Sequence, residues 1–187
     1  MHPAATLTCI IVFSSFGWGV LRFFVKPGGP RWQAVITAAL GLFFGAWHML
    51  AISSSTTDPW RVALGMAAHV ASIVLFWSAV RACESRPLTA IFEADLPVRL
   101  VRGGPYAYVR HPFYCAYAIF WFGGWVASGS PVALVSIPVM VGIYVHGARE
   151  EERKFSRSPL AQQYADYRQR VGAWLPRLGR RKRNAGY

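Results

Sequence analysis

The apolar positions of this chain fall into five runs separated by polar breaks. The first extends from about Ala4 to Val25, broken by Arg22 near its end; the second covers about Trp32 to Ile52, and the third about Trp60 to Val80. Each approaches the roughly 20 residues that span a hydrocarbon core. Two shorter runs, Phe113 to Ala127 and Val132 to His146, flank the uncharged turn Ser128-Gly129-Ser130-Pro131. That arrangement predicts a helical hairpin whose second arm runs on into a polar C-terminal helix. Beyond Arg149 the sequence is charged and reads as helix, with Leu160, Tyr164, Tyr167 and Val171 spaced as one apolar stripe. The expected fold is all-α: a multi-pass bundle of about five transmembrane helices with a cytoplasmic helical cap at the C-terminus.

Length agrees with one domain. Within it, residues 1–80 read as a three-span scaffold, 81–112 as a loop, 113–146 as the hairpin and 147–187 as the capping helix and a basic tail. The first run has no basic head and no small-residue cleavage site, so it reads as a retained span rather than a signal peptide.

Charge changes the picture by giving the bundle a direction. The chain has 20 Lys and Arg against 8 Asp and Glu, a formal net charge of +12, while 54% of it is hydrophobic. In a soluble protein such a balance would point to nucleic acid. Here the basic residues lie between and after apolar runs, so a cytoplasmic membrane face explains them without a nucleic acid. The turn from Lys26 to Arg31, the long loop with Arg81, Arg86, Arg99, Arg102 and Arg110, and the tail are basic, whereas the N-terminus, the Asp58 loop and the Ser128 turn are not. The positive-inside rule then puts the N-terminus outside and the C-terminus in the cytoplasm. The closing run R-L-G-R-R-K-R-N, Arg177 to Asn184, reads as a disordered basic tail held by anionic lipid.

Candidate chemistry concentrates at Gly103 to Tyr114, G-G-P-Y-A-Y-V-R-H-P-F-Y, and at Glu150, Glu151 and Glu152 one hairpin later. Pro105 and Pro112 prevent a continuous helix across the first stretch, which fixes Arg110 and His111 on irregular backbone. Proline at a first helical turn leaves amides free for an anion. The glutamates supply the opposite charge, so a ligand bearing a carboxylate and cationic groups matches both; S-adenosylmethionine is one. Tyr106, Tyr108 and Tyr114 add aromatic faces suited to adenine or a sulfonium. On charge pattern alone, an Arg110–glutamate pair fastening two helices explains the same residues. Cys9, Cys83 and Cys115 are too few and too scattered for a disulfide framework or a metal site and read as packing residues. His48 and His69, inside apolar runs, are suspects for function by position or else helix-to-helix hydrogen bonds.

The segment from Leu100 to Tyr114, the apolar hairpin, A-R-E-E-E-R-K-F and Q-Q-Y-A-D-Y-R-Q-R-V-G-A-W-L-P together resemble the isoprenylcysteine carboxyl methyltransferase family and its phospholipid methyltransferase relatives. The resemblance covers about Pro97 to Pro176. It implies a multi-pass membrane enzyme that uses S-adenosylmethionine, with Leu100, Val101, Gly104, Tyr106, His111, Pro112, Tyr114, Glu151 and Glu152 at the cofactor. Arg110 and His111 fall on the family's Arg-His-Pro positions, and Arg110, His111, Glu151 and Glu152 are the implied catalytic group. Successive helical residues point about 100° apart, so Glu151 or Glu152 is expected to face the site while Glu150 pairs with Lys154. Two departures stand out: Ala116 occupies a position where the family commonly has glycine, and S-R-S-P-L-A replaces a phenylalanine-glycine segment before Tyr164.

The resemblance implies methyl transfer to a lipophilic small molecule or lipidated substrate reached from the bilayer. A carboxylate or thiolate acceptor needs a positive positioning group such as Arg110 or Arg149, whereas an amine must lose a proton to His111 or a glutamate. The residue bias resembles that of bacterial proteins, which would put the chain in an inner membrane and disfavour a prenylated-protein acceptor. Two alternatives stand beside this reading. One is a sterol-type membrane reductase with a nicotinamide cofactor, although G-x-G-x-x-G is absent; the other is a non-enzymatic membrane protein with a structural corner.

Overall fold

A computed structural model describes residues 2–23, 32–83, 96–97 and 99–177 of the chain. The turn from Lys26 to Arg31, Arg86 and Pro87 of the long loop, and the tail beyond Arg177 lie outside these residues. Six helices follow in order: α1 (Pro3–Phe23), α2 (Trp32–Ser53), α3 (Pro59–Cys83), α4 (Pro112–Ser128), α5 (Pro131–Ser156) and α6 (Ala161–Arg170), with one turn of 3₁₀ helix at Gly104–Ala107. Among the described residues there is no strand, only a single parallel bridge between Val109 and Gly172.

The five apolar runs are α1 to α5. Four of them, α1, α2, α3 and α5, are long and apolar enough to cross a membrane. At 17 residues, α4 stands at the short end of the spanning range. It is also the most enclosed helix, because α1, α2, α3 and α5 all pack on it. Large apolar side chains such as Leu21, Leu42, Phe43, Leu50, Leu64 and Val74 stand on the outside, as expected of helices solvated by lipid rather than water.

Neighbouring helices run up and down. The pairing of α3 with α4 is closest, and small residues set its depth: a Cβ added at Gly65 would lie 2.6 Å from the Ala127 Cβ and from the Gly123 carbonyl oxygen. Further along the same seam the Ser72 hydroxyl donates to the Ala116 carbonyl (2.7 Å), and Phe76 meets Phe113 edge-on. Ala116 is fully buried there. The seam aligns the C-terminal end of α3 with the N-terminal end of α4, where the corner lies.

The opposite end is tied by side chains to open carbonyls. Ser55, Thr57 and Arg61 donate to the carbonyls of Ser128 (2.9 Å), Ala127 (2.8 Å) and Val126 (3.3 Å). These are the acceptors that the last turn of α4 leaves unused, and Gly129 then ends the helix in the left-handed region at φ 64°, where only glycine is unstrained. Toward this end, level with Phe120, Trp121 and Ser136, sit the fully buried His48 and His69. The Ser136 hydroxyl donates to the Ala133 carbonyl (2.7 Å), so His48 Nε2 donates to Ser136 at 2.8 Å. His48 therefore joins α2 to α5, away from the corner.

Replacing Gly65 with valine should separate α3 from α4. We expect a loss of roughly 1–3 kcal/mol from overpacking, read as a lower thermal midpoint of the detergent-solubilised protein, whereas Gly41→Val, with no neighbour near its Cβ position, should leave that midpoint close to wild type.

Candidate active site

The corner is shaped by its own sequence. Gly104, at φ 58°, turns the chain into the 3₁₀ turn, and Pro112 supplies the first residue of α4 with His111 as its N-cap. Tyr106 anchors the turn at both ends: its carbonyl accepts from the Tyr167 hydroxyl (2.6 Å), and its own hydroxyl meets Cys83 Sγ at 3.5 Å. Arg110 and His111 are thereby carried to the mouth of the bundle beside the charged turns of α5.

Five ionisable groups meet there. Arg110 Nη2 and Nε donate to Glu152 Oε1 at 2.8 and 3.1 Å. His111 Nδ1 lies 3.2 Å from Glu151 Oε2, and its Nε2 lies 3.1 Å from Glu152 Oε1. The Tyr114 hydroxyl donates to Glu151 Oε1 at 3.1 Å. Two adjacent helical carboxylates reach one imidazole because its two nitrogens face opposite ways, and only the imidazolium donates from both. Burial on its own would lower the pKa of His111; the two carboxylates outweigh it and hold that pKa above the ordinary histidine value.

Exposure separates the two acids. Glu152, with 17% of its side chain accessible, is paired with a guanidinium that is 7% accessible, whereas Glu151 is 33% accessible. Arg110 spends four of its five N–H donors here, since Nη1 also donates to the carbonyls of Val171 (2.7 Å) and Arg168 (3.3 Å). Glu150 joins Arg153 on the outer side of the same helix.

A chain segment far along the sequence completes the site. The backbone N–H groups of Arg110 and His111 donate to the carbonyls of Gly172 (2.8 Å) and Ala173 (3.2 Å). Gly172 is required there: a Cβ would lie 1.9 Å from the Leu175 carbonyl oxygen. Preceding it, α6 lays Tyr164 on Phe155 with ring centroids 4.6 Å apart, and Tyr164, Tyr167 and Val171 enclose Leu100. Arg102 reaches the Gln163 carbonyl at 3.2 Å. The apolar stripe of the sequence is thus the underside of a helix that clamps the corner.

Of the residues singled out in the sequence, Arg110, His111, Tyr114, Glu151 and Glu152 converge. Leu100, Gly104, Tyr106 and Pro112 hold the corner's shape from behind, and half-buried Val101 lies in the loop leading into it. Sequence reasoning missed Trp174, whose indole lies 6.1 Å from the His111 ring and 6.0 Å from the Tyr114 ring, and Tyr144, stacked on Tyr114 at 5.6 Å. A large aromatic following Gly172 and Ala173 in a polar segment was the available signal for the first. Beside Glu152, an open cleft of about 350 Å³ runs between α5 and α6, with Tyr164, Arg168, Gln169 and Arg177 in its walls.

These elements define a class. Residues 60–163, from α3 through the corner and hairpin into α6, match the phospholipid methyltransferase family. That is more than half of the chain, and the chain belongs to this family of membrane methyltransferases, which includes the isoprenylcysteine carboxyl methyltransferases. The match begins earlier than the motifs do and takes in all of α3 except its first residue. No curated protein matches the chain.

Removing one partner of a buried ion pair leaves the other charge uncompensated, at a cost of about 3–5 kcal/mol. Glu152→Ala should lose stability on that scale in denaturant or thermal unfolding, while Glu150→Ala, at the exposed Arg153 pair, should stay within about 1 kcal/mol of wild type. The raised pKa of His111 fixes a sign for pH dependence as well: its stabilising contribution is complete below the ordinary histidine value of about 6.5 and is lost as pH rises through the higher folded value. Thermal midpoints measured from about pH 6.5 upward should fall with pH in wild type and fall less in His111→Gln.

Proposed function

We propose that the protein is an S-adenosylmethionine-dependent methyltransferase whose acceptor is a lipophilic amine reached from the bilayer. The observation that carries this reading is the meeting of Arg110, His111, Glu151 and Glu152 at one mouth of the bundle, beside an aromatic wall and an open cleft. The donor set suits the cofactor: carboxylates match its ammonium and sulfonium, Arg168 and Arg177 at the cleft match its carboxylate, and a cleft of about 350 Å³ is in the size range of small-molecule sites. Bound there, S-adenosylmethionine would supply an electrophilic methyl group on a sulfonium that leaves as a neutral thioether.

The choice among acceptors rests on which charges are free. Arg110 gives four of its five N–H donors to Glu152 and to the Arg168 and Val171 carbonyls, which leaves it poorly suited to hold a carboxylate or thiolate in a bidentate grip. Glu151 is the accessible acid, and an anion beside the reaction centre attracts an ammonium and takes its proton. In this reading Glu151 is the general base, His111 and Tyr114 orient its carboxylate, and Arg110 with Glu152 is a positioning pair. Family membership supports methyl transfer over a nicotinamide reductase or a purely structural corner, and the phospholipid named by the family is an acceptor of the proposed kind. The reading includes the orientation expected from the loop charges, with the N-terminus outside and the site at the cytoplasmic face of a bacterial inner membrane.

The purified protein should be stabilised by S-adenosylmethionine and by its demethylated product, by about 2.7 kcal/mol at a hundredfold excess over the dissociation constant, and not by a reduced nicotinamide. Labelled methyl groups should pass to vesicles containing an aminophospholipid rather than to a prenylcysteine analogue. Glu151→Gln should lower that turnover by roughly 10²–10⁴-fold with little change in thermal midpoint. Absence of a shift with the methyl donor would remove the methyltransferase reading; transfer only to the carboxylate acceptor would remove the amine.

A further inference from the structure

The segment Val171–Leu175 is more closely held than a connection to a tail requires. Its carbonyls at Val171, Gly172 and Ala173 accept from the Arg110 guanidinium and from the Arg110 and His111 amides. The Trp174 carbonyl accepts from Cys115 Sγ at 3.4 Å, and Gly172 admits no side chain. Four successive residues thus spend their backbone on fixing one turn. Its effect is to set a single indole, half-buried, against the His111 and Tyr114 rings at tilts of 38° and 31°.

Both of those rings contact Glu151, His111 through Nδ1 and Tyr114 through its hydroxyl. An indole set against a phenol whose hydroxyl reaches a partly accessible carboxylate supplies the constituents of an onium site: an aromatic face attracts a diffuse cation, and the carboxylate adds the counter-charge. If Trp174 served only to pack the bundle, it would need no backbone so firmly tied to the corner.

Building on the proposed methyltransferase reading, we infer that Trp174 is a wall of the ligand site and that its indole, with the Tyr114 ring and the Glu151 carboxylate, holds a cationic centre. The shared chemistry is an onium group, either the sulfonium of the methyl donor or the ammonium of the acceptor. The neutral thioether left after transfer lacks that charge. Where the cation is the sulfonium, Trp174 therefore discriminates the donor from its by-product, binding the charged reactant and releasing the uncharged thioether; where it is the ammonium, Trp174 retains the acceptor's head group.

The test is binding and turnover of the full chain in detergent for wild type, Trp174→Leu and Trp174→Phe. The backbone bonds of Gly172 and Ala173 do not involve the indole, so both variants should keep the corner folded, with a lower midpoint in Trp174→Leu than in Trp174→Phe because the indole also packs on the bundle core. If the cation is the sulfonium, Trp174→Leu should weaken S-adenosylmethionine by roughly three- to thirtyfold, leave the thioether product unchanged, and be largely rescued in Trp174→Phe. If it is the acceptor's ammonium, donor affinity should hold while KM for aminophospholipid vesicles rises by a similar factor, again with rescue by phenylalanine. Equal losses for donor and neutral product without a change in acceptor KM, or no change in any of the three quantities, would overturn the inference. A wild type that binds no methyl donor would instead overturn the methyltransferase reading on which it rests.

Discussion

A guanidinium and an imidazole facing two neighbouring carboxylates is the constraint around which the rest of this molecule is arranged. Ionised groups withdrawn from water are costly unless each finds a partner and its remaining hydrogen bonds are satisfied. Here Arg110 uses all its nitrogens, and the two ring nitrogens of His111 each face a carboxylate. The partners come from three separate places: the corner before α4, the far end of α5, and the segment after α6. Each element must therefore arrive at a fixed height and angle, and the packing of the apolar helices supplies both.

The small residues along α3 and α4 do more than fill space. Gly65 and Gly123 bring two backbones close enough for the Ser72 hydroxyl to reach the Ala116 carbonyl, so the helices cannot slide without losing that bond. Tyr114, one turn into α4, then faces Glu151 with Tyr144 stacked behind it. Where the family commonly has glycine, the methyl group of Ala116 is accommodated fully buried in this seam. A departure in sequence is absorbed by local packing without opening the helix pair.

Much of this was legible in the residues alone. Apolar run lengths marked α1 to α5, including the continuation of α5 beyond the membrane, and the stripe Leu160, Tyr164, Tyr167 and Val171 marked the clamping helix. The corner and the acids could be named because two prolines bracket the Arg110–His111 pair and three glutamates stand together where the last apolar run ends. Which of three consecutive glutamates serves the site was not legible: rotation of α5 by one residue exchanges them, and only tertiary contact fixes the rotation. Nor could the sequence reveal that Arg110 reaches the Arg168 and Val171 carbonyls or that Trp174 lies on His111. Those contacts join residues about sixty positions apart through an irregular turn, where no periodicity operates.

The tie between Arg110 and the carbonyl of Val171, 61 residues downstream, has a consequence for biogenesis. At a synthesis rate of roughly 5–20 residues per second, the arginine exists for about 3–12 s before its last acceptor has been made. In that interval α4, α5 and α6 are still being made, and the corner lacks first its acids and then its last carbonyls. Assembly of the charged cluster is thus deferred to the end of translation, so a nascent chain or a truncated product lacks a finished site even when its membrane portion is complete.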